Sequence, residues 1–104
     1  MNVLHMKYAV EVANNGSLNK AAEKLYIAQP NLSRAIKELE SSLGITIFDR
    51  SAKGMVLTPA GEEFINYAKN ILKQIDEVEL IYKQGSPKKQ KFSMPIWAVS
   101  GISR

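Results

Sequence analysis

Residues 17–44 read SLNKAAEKLYIAQPNLSRAIKELESSLG, and this stretch determines the predicted fold. Ser17 is a good N-cap for a helix that runs to about Leu25, after which three residues form a short turn. A second helix begins at Gln29-Pro30, where proline fits the first turn because no intrahelical hydrogen bond is lost there. Two helices joined by so short a turn, the second with a polar face, are typical of a helix-turn-helix motif.

The second of these helices has one apolar and one polar face. Its apolar side chains recur at helical spacing, at Leu32, Ala35, Ile36, Leu39 and Leu43. The polar face carries candidate DNA-binding residues, namely Gln29, Asn31, Ser33, Arg34 and Lys37, with Pro30 beside them. In the major groove Gln can pair bidentately with adenine and Arg with guanine, and each good pair contributes about 1–3 kcal/mol of discrimination. A solvated helix face is the alternative, and the helix-turn-helix context favours DNA.

The regions on either side extend this motif to a winged helix-turn-helix of the mainly α class. Apolar side chains at helical spacing predict a first helix over about residues 3–14. Residues 45–48 and 55–57 are two short β-favouring runs, and the segment between them is basic and contains a glycine. These runs predict a β-hairpin, which is called a wing when it follows a helix-turn-helix.

Four further side chains are candidates for contact with DNA. Lys53 and Arg50 flank the tip of the wing, and a basic wing can enter the minor groove or lie on phosphates. The alternative is a charged loop that keeps the hairpin soluble, and Arg50 could equally pair with a nearby carboxylate. Ser17 is expected mainly to cap its helix, although the backbone amides at this helix start, together with Lys20, could bind a phosphate.

Thr58-Pro59 predicts the start of a long helix that reaches about Gln84. At roughly 40 Å it is too long for the small domain before it to cover, so its apolar stripe is expected to meet another chain. The stripe alternates spacings of four and three, which is the pattern of an a/d seam. We predict a homodimer whose interface contains Phe64, Ala68, Ile71, Leu72, Ile75, Val78 and Tyr82.

Composition narrows the classes of function. The chain of 104 residues carries 14 Lys and Arg against 10 Asp and Glu, and the net charge of +4 favours a nucleic-acid or acidic-lipid partner. It has no cysteine and one histidine, His5, so we expect no enzymatic activity, no metal and no cofactor in this chain. It also lacks a membrane-length apolar stretch and a basic signal-peptide start, which predicts a cytoplasmic protein without a membrane partner.

The predicted organisation has three parts. Residues 1–58 form the winged helix-turn-helix domain, and residues 59–85 form the linker helix that carries the dimer interface. Residues 86–104 are predicted to be a hinge, with one apolar run that is a candidate first strand of a truncated domain. A single strand has no partner and is not stable alone, so this segment either joins a structure beyond the chain or is disordered.

A longer series of residues has a specific order and spacing. It consists of Ser17, Ala21-Ala22, Leu25, Gln29-Pro30, Ser33, Ile36, Leu39-Glu40, Leu43-Gly44, Phe48-Asp49-Arg50 and Leu57-Thr58-Pro59-Ala60-Gly61. Over about residues 1–85 this order resembles the N-terminal DNA-binding domain of LysR-type transcriptional regulators. The resemblance implies a winged helix-turn-helix followed by a long linker helix, which pairs antiparallel with its copy to form a dimer.

The resemblance also implies a function. Gln29, Pro30, Ser33 and Arg34 would face bases or nearby phosphates, and Lys53 would lie in the wing. The dimer would bind a pseudo-palindromic operator of a bacterial gene and regulate transcription. Family members usually have a downstream effector domain that binds a small molecule and can govern assembly into tetramers, so we expect this chain to be part of a longer regulator. The alternative is a winged-helix protein–protein interaction module that dimerises without specific DNA binding.

Three residues depart from the family pattern. Ala9 stands where a large aromatic residue is usual, which predicts looser packing of the first helix. Ala28 stands where Ser or Thr is common, so the recognition helix is expected to lack a side-chain cap, a loss of about 1 kcal/mol. Lys53 stands where Arg is common, and lysine cannot make the planar fork contact of a guanidinium group.

Overall fold

The structure is a computed structural model that describes residues 1–51 and 53–83. The helices and strands follow the chain in the order α1 (Val3–Asn15), α2 (Leu18–Leu25), α3 (Gln29–Leu43), β1 (Phe48–Asp49), β2 (Val56–Leu57) and α4 (Pro59–Lys83). Helices α2 and α3 form the helix-turn-helix, and the antiparallel pair β1–β2 is the wing. The winged helix-turn-helix of mainly α class, followed by a long helix, is therefore confirmed.

Local signals explain where the first three helices begin and end. Ser17 caps α2, because its Oγ accepts a hydrogen bond from Lys20 N at 3.2 Å. Gly16 and Gly44 end α1 and α3 in the left-handed conformation, with φ of 66° and 70°. Tyr26 ends α2 in the same conformation with φ of 59°, which is uncommon for a residue with a side chain.

The core lies among α1, α2, α3, the start of the wing and the first half of α4. Ala21 and Ala22 are buried between helices, as their small size predicts, and Ala9 of α1 is fully buried. The structure therefore places Ala9 inside the core, where its methyl group fills less space than an aromatic ring. The buried apolar residues are Met6, Ala9, Val12, Ala21, Ala22, Leu32, Ala35, Ile36, Leu39, Ile47, Phe48, Ile65 and Ala68.

The wing is shorter than predicted. The two strands contain two residues each, with Phe48 opposite Leu57, so the predicted strands over 45–48 and 55–57 were too long. The reason is that backbone amides near the wing bond to other parts of the chain. Ile47 N donates to Glu40 Oε2 of α3 at 2.8 Å, and Met55 N donates to Gly16 O at 3.3 Å. These amides fix the base of the wing to the helices instead of extending the ladder.

Helix α4 begins against the segment that leads into the wing. Thr58 N donates to Ile47 O at 3.0 Å, and Gly61 N donates to Thr58 Oγ1 at 2.9 Å. The chain divides after Leu72 into two units, and the first unit includes the first half of α4. In that first half, Ile65 and Ala68 face the core.

This packing corrects the predicted dimer interface. Ala68 is fully buried by its own chain, so a partner has no surface of it left to cover, and its assignment to the interface was wrong. Phe64 is half-buried and packs against the core, so much of its side chain serves the domain itself. The seam was misplaced here because spacing alone does not show which side of a helix meets its own domain. Ile71 is 39% exposed, while Leu72 is half-buried.

Residues 73–83 belong to the second unit. In this unit Ile75 is half-buried, and Val78 and Tyr82 are exposed, at 55% and 79%. The predicted end of the helix at Gln84 and the hinge with its candidate strand over 86–104 lie outside the described residues.

The start of α3 offers a test of helix capping. Ala28 is the N-cap of α3, and its extended backbone makes no side-chain cap hydrogen bond, as predicted. We expect Ala28→Ser to raise the free energy of unfolding by about 0.5–1 kcal/mol, because the hydroxyl can accept from Asn31 N, which now donates only to Ala28 O at 3.0 Å, while Pro30 has no N–H. Urea titration measures this change. Ser17→Ala is the matched opposite, and it should lower the stability by a similar amount; equal stability of Ala28→Ser and the native chain would contradict the argument.

Candidate nucleic-acid interface

The polar face of α3 is open to solvent in the described structure. Pro30, Asn31, Arg34 and Lys37 are exposed, and Gln29 and Ser33 are half-buried. The apolar residues of the same helix, among them Leu32, Ile36 and Leu39, are buried on the opposite side. The α3 side chains therefore divide as the sequence pattern predicts, and the polar side remains available to a ligand.

A local contact orients one arginine at the start of α3. Arg34 Nη1 donates to Asn31 Oδ1 at 3.3 Å, one helical turn earlier. This contact uses one of the five N–H donors of the guanidinium group, so the others remain available for a planar acceptor pair such as O6 and N7 of guanine. Asn31 is thereby placed next to Arg34 and supports its orientation.

Arg50 directly follows β1, and its side chain extends to α3. Its Nη1 donates to Ser33 Oγ at 3.2 Å, and its Nη2 lies 4.0 Å from Glu40 Oε1. The prediction left open a pairing of Arg50 with a carboxylate of the hairpin or of a helix, and the structure places it beside the helix carboxylate of Glu40. Its side chain is 30% exposed, so much of the side chain is covered by the rest of the chain.

The tip of the wing carries an exposed lysine above a hydrogen-bonded turn. Lys53 is exposed. Asp49 Oδ1 accepts from Ser51 N at 2.9 Å and also from the Ser51 hydroxyl. These two bonds hold the pKa of the Asp49 carboxyl below its ordinary value, because they favour the charged form. Asp49 therefore stays ionised near neutral pH, and its oxygen is occupied by the turn.

The start of α2 completes the surface. Ser17 Oγ is used by the cap, which bears out its structural role, and Lys20 is exposed in the same turn. An open cleft of about 300 Å³ brings together the start of α2, the start of α3 and the wing. Its lining consists of Ser17, Leu18, Asn19, Gln29, Arg50, Gly54 and Met55.

The wing reaches this cleft because of a close backbone approach. Met55 N donates to Gly16 O, and a Cβ at Gly54 would lie 3.1 Å from the same oxygen. Gly54 also has φ of 81°, which favours glycine. The loop after α1 therefore fixes the wing beside the helix-turn-helix.

The surface is positively charged at several points. Five cationic side chains lie on it, namely Lys20, Arg34, Lys37, Arg50 and Lys53. His5 is outside this set, since its Nε2 lies 4.0 Å from Glu38 Oε1 and its ring stacks near Tyr8. Within residues 1–51 and 53–83, no group of three His, Asp or Glu side chains is placed to hold a metal ion. The cationic side chains suit a polyanion, and the polar side chains of α3 can form hydrogen bonds with donors and acceptors on it.

Sequence reasoning missed two contributors. Asn19 lines the cleft beside Gln29, and its position in the first turn of α2 next to Ser17 could have indicated it. Glu40 joins α3 to the wing through Ile47 N, and no spacing rule connects residues on a helix to the amides of a later loop. Its contact is a product of tertiary packing.

Comparison with known proteins identifies the family to which this chain belongs. Residues 3–62 match the family model described as "Bacterial regulatory helix-turn-helix protein, lysR family". The chain is 42% identical over 102 residues to the uncharacterized HTH-type transcriptional regulator YcgK of Bacillus subtilis, covering 97% of this chain and 32% of that protein. It is 40% identical over 84 residues to the HTH-type transcriptional regulator BenM of Acinetobacter baylyi, covering 81% of this chain and 28% of BenM.

A solved structure shows the same architecture. The crystal structure of the BenM DNA-binding domain in complex with catB site 1 DNA matches with a TM-score of 0.78 and 40% identity, over 81% of this chain and 90% of that chain. In the described part of this chain, no helix is both long and apolar enough to cross a membrane. The chain spans about a third of the length of the curated relatives. From residue 3 to residue 62 it carries their DNA-binding domain, and it belongs to the lysR family of bacterial regulatory helix-turn-helix proteins.

Proposed function

We propose that this chain binds double-stranded DNA with sequence specificity, with the start of α3 in the major groove and the wing in the minor groove or on phosphates. One observation carries the proposal: in the described structure Pro30, Asn31, Arg34 and Lys37 of the polar face of α3 are exposed to solvent, and the start of this helix lies beside the basic wing. A helix of this kind fits the major groove, where base edges present a distinct pattern of donors and acceptors. The similarity to BenM, which has been crystallised with DNA, supports this placement.

In this proposal some residues of the interface read bases, others contact phosphates, and the remainder support or line the surface. Gln29 and Arg34 read base edges, because their side chains can make bidentate contacts. Lys20, Lys37 and Lys53 contact phosphates, which position the protein without reading sequence. Ser17 supports the start of α2, and Pro30 and Asn31 line the α3 surface at the bases. Each assignment rests on exposure and position within the described structure.

The proposal extends to assembly and regulation. Two copies joined through α4 would present two recognition helices, which matches a pseudo-palindromic operator. A longer protein would add an effector domain that binds a small molecule, would act on transcription in the bacterial cytoplasm and could assemble further into tetramers. The length of the curated relatives, about three times the matched part, supports the presence of such a domain.

Selection from a random DNA pool followed by mobility shifts tests specific binding. We expect Gln29→Ala and Arg34→Ala each to lower affinity for the selected duplex by about 10- to 100-fold, because each removes a bidentate base contact. Affinity should also fall steeply with salt, since phosphate contacts release counterions. Lys7→Ala removes a cation from the exposed surface of α1 and should leave the affinity within about twofold of the native chain.

The alternative function is a protein–protein interaction module without specific DNA binding. Under that alternative, heparin retains the chain only weakly, no sequence is enriched from the pool, and the Gln29 and Arg34 variants bind DNA as the native chain does. Any of these results would contradict the proposal.

A further inference from the structure

We infer that Arg50 is a positioning residue that makes Ser33 a hydrogen-bond donor toward DNA: beside the Glu40 carboxylate, its guanidinium donates to Ser33 Oγ and leaves the Ser33 O–H available to an acceptor on the nucleic acid. The inference deepens the proposed function and rests on it, because it concerns how one side chain of the proposed interface meets DNA. It assigns Arg50 a role other than direct contact with a phosphate.

Glu40 contacts both the backbone ahead of the wing and the Arg50 guanidinium. Its Oε2 accepts from Ile47 N at 2.8 Å and from Phe48 N at 3.2 Å, and its side chain is only 15% exposed. Its Oε1 lies 4.0 Å from Arg50 Nη2. One carboxylate therefore faces the backbone that leads into the wing with one oxygen and the guanidinium with the other, and it limits where Arg50 can lie.

The guanidinium group spans the distance from Glu40 to the recognition face. While Nη2 faces Glu40, Nη1 donates to Ser33 Oγ at 3.2 Å. A guanidinium is planar and its donors have a fixed geometry, so one group can meet both partners at once, whereas the ammonium of lysine is a single point of charge. Arg50 therefore connects the end of β1 to the middle of the recognition face.

This contact determines what Ser33 can offer to DNA. A hydroxyl has one O–H donor and two acceptor lone pairs, and its hydrogen rotates to suit its neighbours. Arginine is only a donor, so Ser33 Oγ must accept from it. Within residues 1–51 and 53–83, the Ser33 side chain accepts this bond and donates to no protein acceptor. Its O–H is therefore available for an acceptor outside the chain.

The acceptor can be a base atom or a phosphate oxygen. In the major groove the acceptors are purine N7, guanine O6 and thymine O4, whereas cytosine N4 and adenine N6 are donors. A Ser33 without Arg50 could turn its hydroxyl either way and would discriminate poorly between these groups. With Arg50 in place, one of the two lone pairs of Ser33 Oγ is occupied, so Ser33 favours an acceptor over a donor at that place in the groove.

The competing role for Arg50 is direct contact with a phosphate. The two roles differ in how the effects of substitutions combine. If Arg50 acts through Ser33, its removal costs affinity only while the Ser33 hydroxyl is present. If Arg50 contacts a phosphate itself, its loss and the loss of Ser33 add, and the salt dependence also changes because one phosphate contact is lost.

A double-mutant cycle on the 104-residue chain separates these roles. The native chain, Ser33→Ala, Arg50→Met and the double variant are titrated against the duplex selected from the random pool. We expect Arg50→Met to weaken binding by about fivefold in the native chain, the effect of one ordinary hydrogen bond, and by less than about twofold in the Ser33→Ala chain. Equal losses in the two chains would overturn the inference.

The salt dependence gives a second, independent measurement. We expect Arg50→Met to leave the slope of log affinity against log salt unchanged, as Lys7→Met should. Lys37→Met, the loss of a proposed phosphate contact, should reduce it by about 0.9. A reduction of about 0.9 for Arg50→Met would place Arg50 on a phosphate and overturn the inference. If Arg50→Met unfolds at the assay temperature, Arg50→Lys replaces it: we expect weaker binding that depends on Ser33 and an unchanged slope.

Repeating the pool selection with Ser33→Ala identifies the acceptor. A loss of preference at one base position indicates a base acceptor, and a uniform loss of affinity indicates a phosphate; both support the donor role of Ser33. Enrichment of cytosine N4 or adenine N6 opposite Ser33 in the native selection would contradict it. Failure of the proposed function is distinguishable, because the native chain would then enrich no sequence in the first place.

Discussion

Val78→Glu is expected to convert the proposed dimer to monomers and to weaken binding to a two-half-site operator by at least about 100-fold. Val78 is 55% exposed on the second unit, at a position that belongs to the seam predicted from the sequence. A carboxylate placed in an apolar dimer interface has to be desolvated without a partner, which strongly disfavours association. A monomer holds one half-site only and loses the gain from linked binding at the second. Analytical ultracentrifugation and a mobility shift measure the two effects.

Leu80→Glu is the matched control for this prediction. Leu80 is 56% exposed in the same part of α4, and two residues along an ideal helix turn it by about 200° from Val78, away from the seam. The same apolar-to-acidic change should therefore leave the dimer intact. Ile71→Glu changes another residue of the predicted seam, 39% exposed in the first unit, and is expected to act like Val78→Glu. Dimers of all three variants would show that the seam is not an interface between copies.

Helix α4 illustrates what the spacing of apolar residues can and cannot determine. The spacing of apolar residues predicts that α4 is a helix with a stripe, and it is one from Pro59 to Lys83. The same spacing does not tell which apolar side chains meet the domain and which face away. Ala68 is fully buried, while Tyr67, beside it in the chain, is 64% exposed and was not part of the predicted seam. That distinction depends on the position of the core, which only the tertiary structure contains.

Helix boundaries were predictable because their causes are local. Ser17, Gly16, Gly44 and Pro30 act within a turn of their own position, so the end of α1, the start of α2 and both ends of α3 follow from a few neighbours. The polar face of α3 follows from the same helical periodicity. The missing cap at Ala28 was also predictable, since it requires only the identity of one residue.

The geometry of the interface was less predictable because its causes are distant in sequence. Arg50 and Ser33 are 17 residues apart and meet through tertiary packing, in which Glu40 of α3 accepts from Ile47 N ahead of β1. The wing is short because Met55 N bonds to Gly16 O, and helices α2 and α3 lie between these two residues in the sequence. Composition indicated a net positive charge, and it contained no information on how these side chains restrict one another.

Gly61→Ala is expected to cost about 3 kcal/mol of stability or more, and to lower the melting temperature by about 15 °C. A Cβ at residue 61 would lie 2.0 Å from Ile47 O and 2.8 Å from the carbonyl carbon of Ile47, and both atoms belong to the backbone. No rotamer change can relieve this overlap, so α4 or the segment leading into the wing has to move. The Thr58 N bond to Ile47 O and the packing of Ile65 then weaken together.

Gly44→Ala separates this close approach from an ordinary glycine effect. Gly44 has φ of 70°, and a Cβ there meets no atom within 4 Å, so the substitution should cost only the left-handed backbone penalty of about 1–2 kcal/mol. Thermal unfolding by circular dichroism measures both variants, and DNA binding at low temperature shows whether the folded fraction keeps its affinity. A melting temperature of Gly61→Ala within about 3 °C of the native chain would mean that α4 does not begin against the Ile47 carbonyl, because less than about 1 kcal/mol would then have been lost. The larger loss at Gly61 is expected because its close contact sets the start of α4 against the Ile47 carbonyl, whose oxygen also accepts from Thr58 N.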